Sequence, residues 1–277
     1  MLDKTKSALK LCLLNNPRLF DLVTSILGRS NLETRLMLKM LQKGDTVFDI
    51  GANTGQYSQI LCTIIGRDGS YHAFEPIPDS FNALTRNVSR YRHSCQIYLH
   101  RVALSNSSVE MPMFIPNNDL TGASLVQHSQ HWPAAPGKVH PLVTSIEKVP
   151  TTTLDHFCSK NNIAANLSFI KCDVEGAELL VMKGASETLR RYRPILLLEC
   201  YPPWTADYEY HPQDLWRFLH QLAGYQIWHI GEKSIREIRD WNSPLPGIYP
   251  NSLNYLCTIP EVHTERMSKL GMLACYH

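Results

Sequence analysis

Three carboxylates fall within six residues in the stretch Lys171-Cys172-Asp173-Val174-Glu175-Gly176-Ala177-Glu178. Asp173 closes an apolar run that reads as a strand. Glu175 and Glu178 open the helix that follows, three residues apart and therefore on one face. Acids at a helix start answer its dipole, and Glu178 is most simply explained that way. Asp173 and Glu175 stand where a strand delivers residues to a ligand. A carboxylate there can take the proton from a hydroxyl, which is a weak nucleophile until it loses one. It can equally hold a divalent metal through oxygen. Glu199, at the end of the next apolar run, suits either arrangement or a purely structural role. The cluster alone leaves these roles open.

A second constellation lies earlier, in Val47-Phe48-Asp49-Ile50-Gly51-Ala52-Asn53-Thr54-Gly55-Gln56-Tyr57. It reads as a buried strand, a glycine turn and a helix start. Gly51 and Gly55 let backbone approach a ligand closely. Glu75 follows at the end of the next apolar run, where a carboxylate can accept hydrogen bonds from both hydroxyls of a ribose. NAD and S-adenosylmethionine (SAM) share that ribose logic and differ at the turn. A dinucleotide site needs G-x-G-x-x-G, so that pyrophosphate lies on the helix N-terminus. Here the third glycine is missing, and Asp49 would repel pyrophosphate. The same acid suits a ligand with an ammonium group, as in the methionine part of SAM. The spacing therefore favours SAM over NAD.

These residues resemble the FkbM family of SAM-dependent methyltransferases. The matching blocks are Val47–Tyr57, Ala73–Pro76 (AFEP), Val102–Asn106 (VALSN), Thr152–Phe157 (TTLDHF), Phe169–Gly184 (FIKCDVEGAELLVMKG) and Leu196–Glu199 (LLLE), in family order. The blocks run from about residue 44 to 200; residues 1–40 and most of 201–277 carry none. The resemblance implies a seven-stranded class I methyltransferase fold and methyl transfer to a hydroxyl of a sugar or other small natural product. It implies that Asp49, Gly51, Asn53, Gly55, Glu75, Ala103 and Leu104 bind the cofactor, the last two beside adenine. Asn118–Leu125 resembles a family segment of the N-x-G-x-S-L type, shifted in this chain.

The elements that must position these residues alternate. Strands are predicted at 46–50, 70–74, 96–104, 167–172, 194–199, 225–230 and 253–259, and helices at 54–65, 78–91, 153–161, 175–191 and 211–223. Residues 109–115 are expected to pair with the 96–104 strand or its neighbour, and 116–150 to be irregular and border the pocket. Repeated β-α units with near-continuous apolar strands mean a doubly wound, mainly parallel sheet covered on both faces, a Rossmann-like α/β fold. Short amphipathic helices at 2–14, 17–28 and 31–42 form an N-terminal cap over residues 1–43, ahead of a methyltransferase domain at 44–277. The cap suits packing on the sheet, dimerisation or a pocket wall. In the irregular segment, His128, His131, His140 and Trp132 are candidates for an acceptor pocket, as is Tyr201-Pro202-Pro203-Trp204.

Composition narrows the function further. Hydrophobic residues make up 44% of 277, enough for a sizeable core, and a net charge of +2 argues against a nucleic-acid binder. No apolar run is long enough to cross a bilayer, and polar residues interrupt any signal-like core near the start. The eight cysteines include no C-x-x-C pair, so zinc and redox motifs lack support. Several sit in apolar runs as small hydrophobes, which fits a reducing, cytoplasmic compartment; sequons at Asn87, Asn106 and Asn166 then read as chance. The expected partner is a small-molecule or glycan acceptor, with a homo-oligomer left open. Two other readings remain: methylation of nitrogen or of a macromolecule, and a SAM-fold binding protein without catalysis. The strand-four segment lacks an Asn/Asp-Pro-Pro-Tyr element, which argues against the common amino-group methylation of bases.

Overall fold

The computed structural model describes residues 32–116, 120–129, 143–161, 163, 167–232, 234–241, 253–270 and 274–275. The expected helices at 2–14 and 17–28, and His131, Trp132 and His140, lie outside the described residues. The described chain starts with α1 (Leu32–Met40), whose Leu32, Leu36, Met37 and Met40 are buried as the apolar periodicity predicts.

The central sheet is built from β1 (Thr46–Ile50), β2 (Ser70–Phe74), β3 (Gln96–His100), β7 (Leu167–Cys172), β8 (Ile195–Glu199), β9 (Gln226–Ile230), β10 (Ile235–Ile238), β11 (Asn254–Thr258) and β12 (Ala274–Cys275). Its order is β12-β10-β9-β11-β8-β7-β1-β2-β3. The five strands from β3 to β8 are mutually parallel, and β11 runs antiparallel between β8 and β9. The seven strands from β3 to β9 are those expected. β10 and β12 extend that edge and correct the expected count; their short runs carry too little alternation to read as strands.

Alternation along each strand sorts side chains to two faces. Val47, Tyr71, Phe169 and Leu197 meet α1 and α2 (Ser58–Ile65) through Leu36, Met40, Leu61 and Ile65. Phe48, Phe74, Ile170 and Leu198 meet the other layer, which includes α4 (Leu154–Lys160), α5 (Glu178–Lys183), α6 (Ser186–Tyr192) and α8 (Pro212–Ala223). The third helix, α3 (Pro78–Val88), joins the first layer through Leu84 and Val88. The expected single helix over 175–191 is two. They part at Gly184, where only glycine fits, because a Cβ there would lie 2.1 Å from the Ser105 carbonyl oxygen. The Asp155 carboxylate then starts α6 by accepting from the backbone N–H of Glu187 at 3.0 Å and Thr188 at 2.8 Å.

A second sheet corrects two expectations. The expected strand at 96–104 ends at His100, and its tail, β4 (Ala103–Leu104), pairs with β6 (Val143–Thr152). β5 (Glu110–Pro116) pairs with β6, the neighbour of that tail, which is one of the two pairings expected. β6 itself falls in the segment read as irregular. Its exposed Ile146 and its Pro150 hide the period-2 signal, because an outlying ribbon presents apolar and polar residues alike to water. Between β5 and β6, residues 120–129 fold back over the carboxyl ends of the central strands. Ile77, Ala103, Met113, Ile115, Leu125 and Val149 form the core of this small layer.

Candidate active site

Chain order reverses between β1 and β7: β2 and β3 follow β1 on one side, β8 follows β7 on the other. Ligands in open α/β sheets bind at such a crevice, beyond the carboxyl ends of the strands. A pocket enclosing about 910 Å³, its open mouth included, lies there. Gly51, Asn53, Glu75, Ala103, Leu104, Asp173 and Glu175 all line it. The structure thus brings together most of the residues singled out from sequence.

The floor follows from the turn after β1. Gly51 has φ +77°, and a Cβ on it would lie 1.8 Å from the Asp173 carbonyl oxygen. Its backbone therefore meets the end of β7, which only glycine permits. Asn53 also adopts left-handed backbone, φ 47°, and its N–H donates to Glu75 Oε2 at 2.9 Å. Glu75 Oε1 accepts from the Ile77 N–H at 2.9 Å. Two backbone donors thus fix the carboxylate, and an ionised carboxylate has about four acceptor sites, so room remains for two hydroxyls. Burial raises the Glu75 carboxyl to about 7, against the pull of those two N–H groups.

Two expected cofactor residues stand back from the pocket lining. Gly55 opens space for Ser58 Oγ and Leu84 Cδ1, which would lie 2.7 and 2.9 Å from its Cβ, so it serves helix packing. Asp49 is 1% exposed beneath the turn, and its Oδ2 accepts from the Tyr71 hydroxyl at 2.7 Å. Its Oδ1 has no hydrogen-bond partner among the described residues. Burial raises its pKa, with Lys171 and the Tyr71 hydroxyl acting in the opposite sense.

The other wall is the end of β7. Lys171 Nζ lies 2.9 Å from Asp173 Oδ2 and 4.7 Å from the centre of the Tyr57 ring. The Lys171 side chain is 5% exposed, whereas that of Asp173 keeps 26%. Burial works against charge on Asp173, but Lys171 and a hydrogen bond from the Glu199 carboxyl hold it below its usual range. Burial and the Asp173 charge push the Glu199 carboxyl well above its usual range. Glu199 is not part of the pocket lining. Glu178 is 1% exposed, and its Oε1 accepts from the Val174 N–H at 3.1 Å and the Gly176 N–H at 3.3 Å. It caps the turn, as its position at a helix start suggests. Among the described residues no three His, Cys, Asp or Glu side chains converge to hold a metal ion.

Sequence reasoning missed Lys171, Tyr57, Ile77 and Met113, which also line the pocket. Only Lys171 left a signal: a lysine inside an apolar strand is rarely buried without a paired charge. His128 is placed in contact with Asp207 and the Glu175 backbone but does not line the pocket. Tyr201 and Trp204 are buried and pack with Leu253.

A glycine turn at the switch point of a doubly wound sheet, facing acids at the ends of two strands, defines a Rossmann-like fold built to hold a nucleoside-bearing ligand, the architecture of class I methyltransferases. The model of the Methyltransferase FkbM domain matches residues 49–227. The chain belongs to the FkbM methyltransferase family. It is 28% identical over 156 residues to the hexuronic acid methyltransferase AglP of Haloferax volcanii, covering 56% of each chain, and so spans about half the length of that curated relative. Among solved structures it is similar to methyltransferase FkbM from Methylobacillus flagellatus (17% identity, TM-score 0.47, covering 77% of this chain and 43% of that one). It is also similar to Aeropyrum pernix fibrillarin in complex with SAM (12% identity, TM-score 0.39, covering 83% and 75%).

Proposed function

We propose that the chain is a SAM-dependent O-methyltransferase acting on a hydroxyl of a sugar or other small natural product. The observation that carries this reading is that Glu75 and Asp173 open into one pocket at the switch point. The residues present fit SAM. Glu75 retains acceptor sites for the two ribose hydroxyls, and the turn at Gly51 and Asn53 offers backbone without side-chain bulk. Ala103 and Leu104, with Ile77 and Met113, give an apolar wall for a flat base. Asp49, buried beneath the turn, and Gly55, packed against Ser58 and Leu84, support its backbone from behind.

SAM, when bound, supplies an electrophilic methyl group on a sulfonium. The remaining work is to align an acceptor oxygen and remove its proton. Asp173 is the base, accepting the hydroxyl proton at its carboxylate, and Glu175 orients the acceptor beside it. Lys171 keeps Asp173 ionised and so free to accept a proton, at some cost in basicity, and its positive charge at Oδ2 disfavours a metal cation there. The AglP relative, by its name a hexuronic acid methyltransferase, supports a sugar acceptor. Cys62, Cys95, Cys158, Cys172, Cys200 and Cys257 are free and buried, which supports a reducing, cytoplasmic setting. No helix among the described residues is long and apolar enough to cross a membrane.

Two measurements test the reading. With methyl-labelled SAM and a panel of hexuronic acids and neutral sugars, the label is expected on a hydroxyl oxygen of a sugar; transfer to nitrogen or to a macromolecule alone would overturn it. Glu75→Ala is expected to weaken SAM and S-adenosylhomocysteine, at about 1.5–3 kcal/mol for each charge-assisted bond lost. Because Glu75 titrates near 7 before ligand arrives, SAM binds the ionised form and affinity falls as pH drops below 7, by up to about tenfold per pH unit. Glu75→Gln should flatten that dependence. An affinity unchanged between pH 8 and 5 would remove Glu75 from the ribose site.

A further inference from the structure

Glu175 is a non-glycine residue in left-handed backbone, φ 55°, at the edge of the pocket. Such a conformation persists only where the surroundings hold it. Two side chains of the 120–129 segment converge on its carbonyl oxygen: Ser124 Oγ at 3.1 Å and His128 Nε2 at 2.9 Å. A carbonyl only accepts, so both side chains donate. Each is itself fixed from the helix at Pro202–Asp207, α7. His128 Nδ1 lies 2.9 Å from Asp207 Oδ2, and the same oxygen accepts from the Ser129 N–H at 3.0 Å. The His128 ring stacks on Trp204 with centroids 5.2 Å apart. The Tyr208 hydroxyl, just past α7, accepts from the Leu125 N–H at 3.1 Å and lies 2.8 Å from Ser124 Oγ, to which it donates. On the far side of the turn, Gly176 has φ +96° and passes so close to Trp204 that a Cβ would lie 3.0 Å from its backbone.

We infer that Ser124 and His128 are positioning residues: they clamp the Glu175 carbonyl and so hold the β7–α5 turn in the one backbone conformation that sets the Glu175 side chain in the pocket wall. The same segment contributes Leu120, Thr121, Ala123 and Leu125 to that wall. One loop therefore both closes the pocket and fixes an acid in it. The catalytic consequence rests on the proposed role of Glu175 toward the acceptor; the clamp itself does not. This also explains why Ser124 and Leu125, the end of the N-x-G-x-S-L-like segment, belong to the site although its start is shifted.

The test compares the full chain with the double variant S124A/H128A by amide hydrogen exchange across residues 173–178, alongside calorimetry with SAM and transfer from labelled SAM to glucuronic acid. Exchange at Gly176 and Ala177 is expected to speed up about tenfold or more, while the strands of the central sheet keep their protection. Transfer should fall at least about tenfold, with SAM affinity within about twofold of the parent. H128Q, whose amide can still donate to the carbonyl, should restore most of the protection; H128L should not. Unchanged exchange in the double variant, or equal protection in H128Q and H128L, would overturn the clamp. If the parent chain binds no SAM and transfers no methyl, the functional reading fails while the exchange result still decides the clamp.

Discussion

Asp173→Asn is expected to lower methyl transfer by about two to four orders of magnitude while leaving SAM affinity nearly unchanged. The substitution keeps the shape and the contact with Lys171 but removes the carboxylate that would take the acceptor proton. Burial disfavours charge at this position, and Lys171 with the Glu199 carboxyl restores it. An amide is not basic enough to take up the acceptor's proton there. Glu175→Gln should cost less, because it removes an orienting group and not the base. Kinetics of both variants, with and without a chelator, separate the roles. A base leaves turnover insensitive to chelation, whereas activity lost to a chelator and restored by Mg²⁺ or Mn²⁺ would move Asp173, Glu175 and Glu199 to a metal site. Near-normal turnover in both variants would reduce the cluster to helix capping.

Gly51→Ala should abolish SAM binding and destabilise the chain. A Cβ at 1.8 Å from the Asp173 carbonyl oxygen cannot be accommodated without moving β1 or β7. Left-handed backbone adds about 1–2 kcal/mol for a non-glycine residue, and forced overpacking typically adds about 1–3 kcal/mol. Gly224→Ala is the control: it shares the positive φ, +76°, but its Cβ meets nothing within 4 Å. The difference in melting temperature between the two variants isolates the steric term, at about 2–4 °C per kcal/mol for a domain of roughly this size. Equal melting temperatures and retained SAM binding would mean that the β1 turn and β7 do not meet as described.

Much of this site was legible in the sequence because its parts are local. A strand, a glycine turn and an acid at the next strand end lie within 29 residues, from Val47 to Glu75, and the strand-end cluster spans eight, from Lys171 to Glu178. Apolar runs of five or six residues gave the central strands, since parallel strands buried on both faces are continuously hydrophobic. The second sheet was not legible. Ala103–Leu104 is too short to stand apart from β3, and β6 is half exposed, so its pattern reads as loop. Tertiary contacts decided the rest. Gly55 reads as a cofactor glycine but serves helix packing, and Gly184 reads as mid-helix but abuts Ser105. Lys171 and the clamp on Glu175 depend on neighbours 2 to 51 positions away whose side-chain directions no local pattern fixes.

Calorimetric titration of the chain with SAM and, separately, with NAD bears most directly on the claim that the pocket is a SAM site. SAM is expected to bind with a dissociation constant in the micromolar range, about −8 kcal/mol, and NAD to show no comparable binding, because the turn lacks the third glycine of a pyrophosphate cradle. Tight binding of NAD with none of SAM would contradict the account.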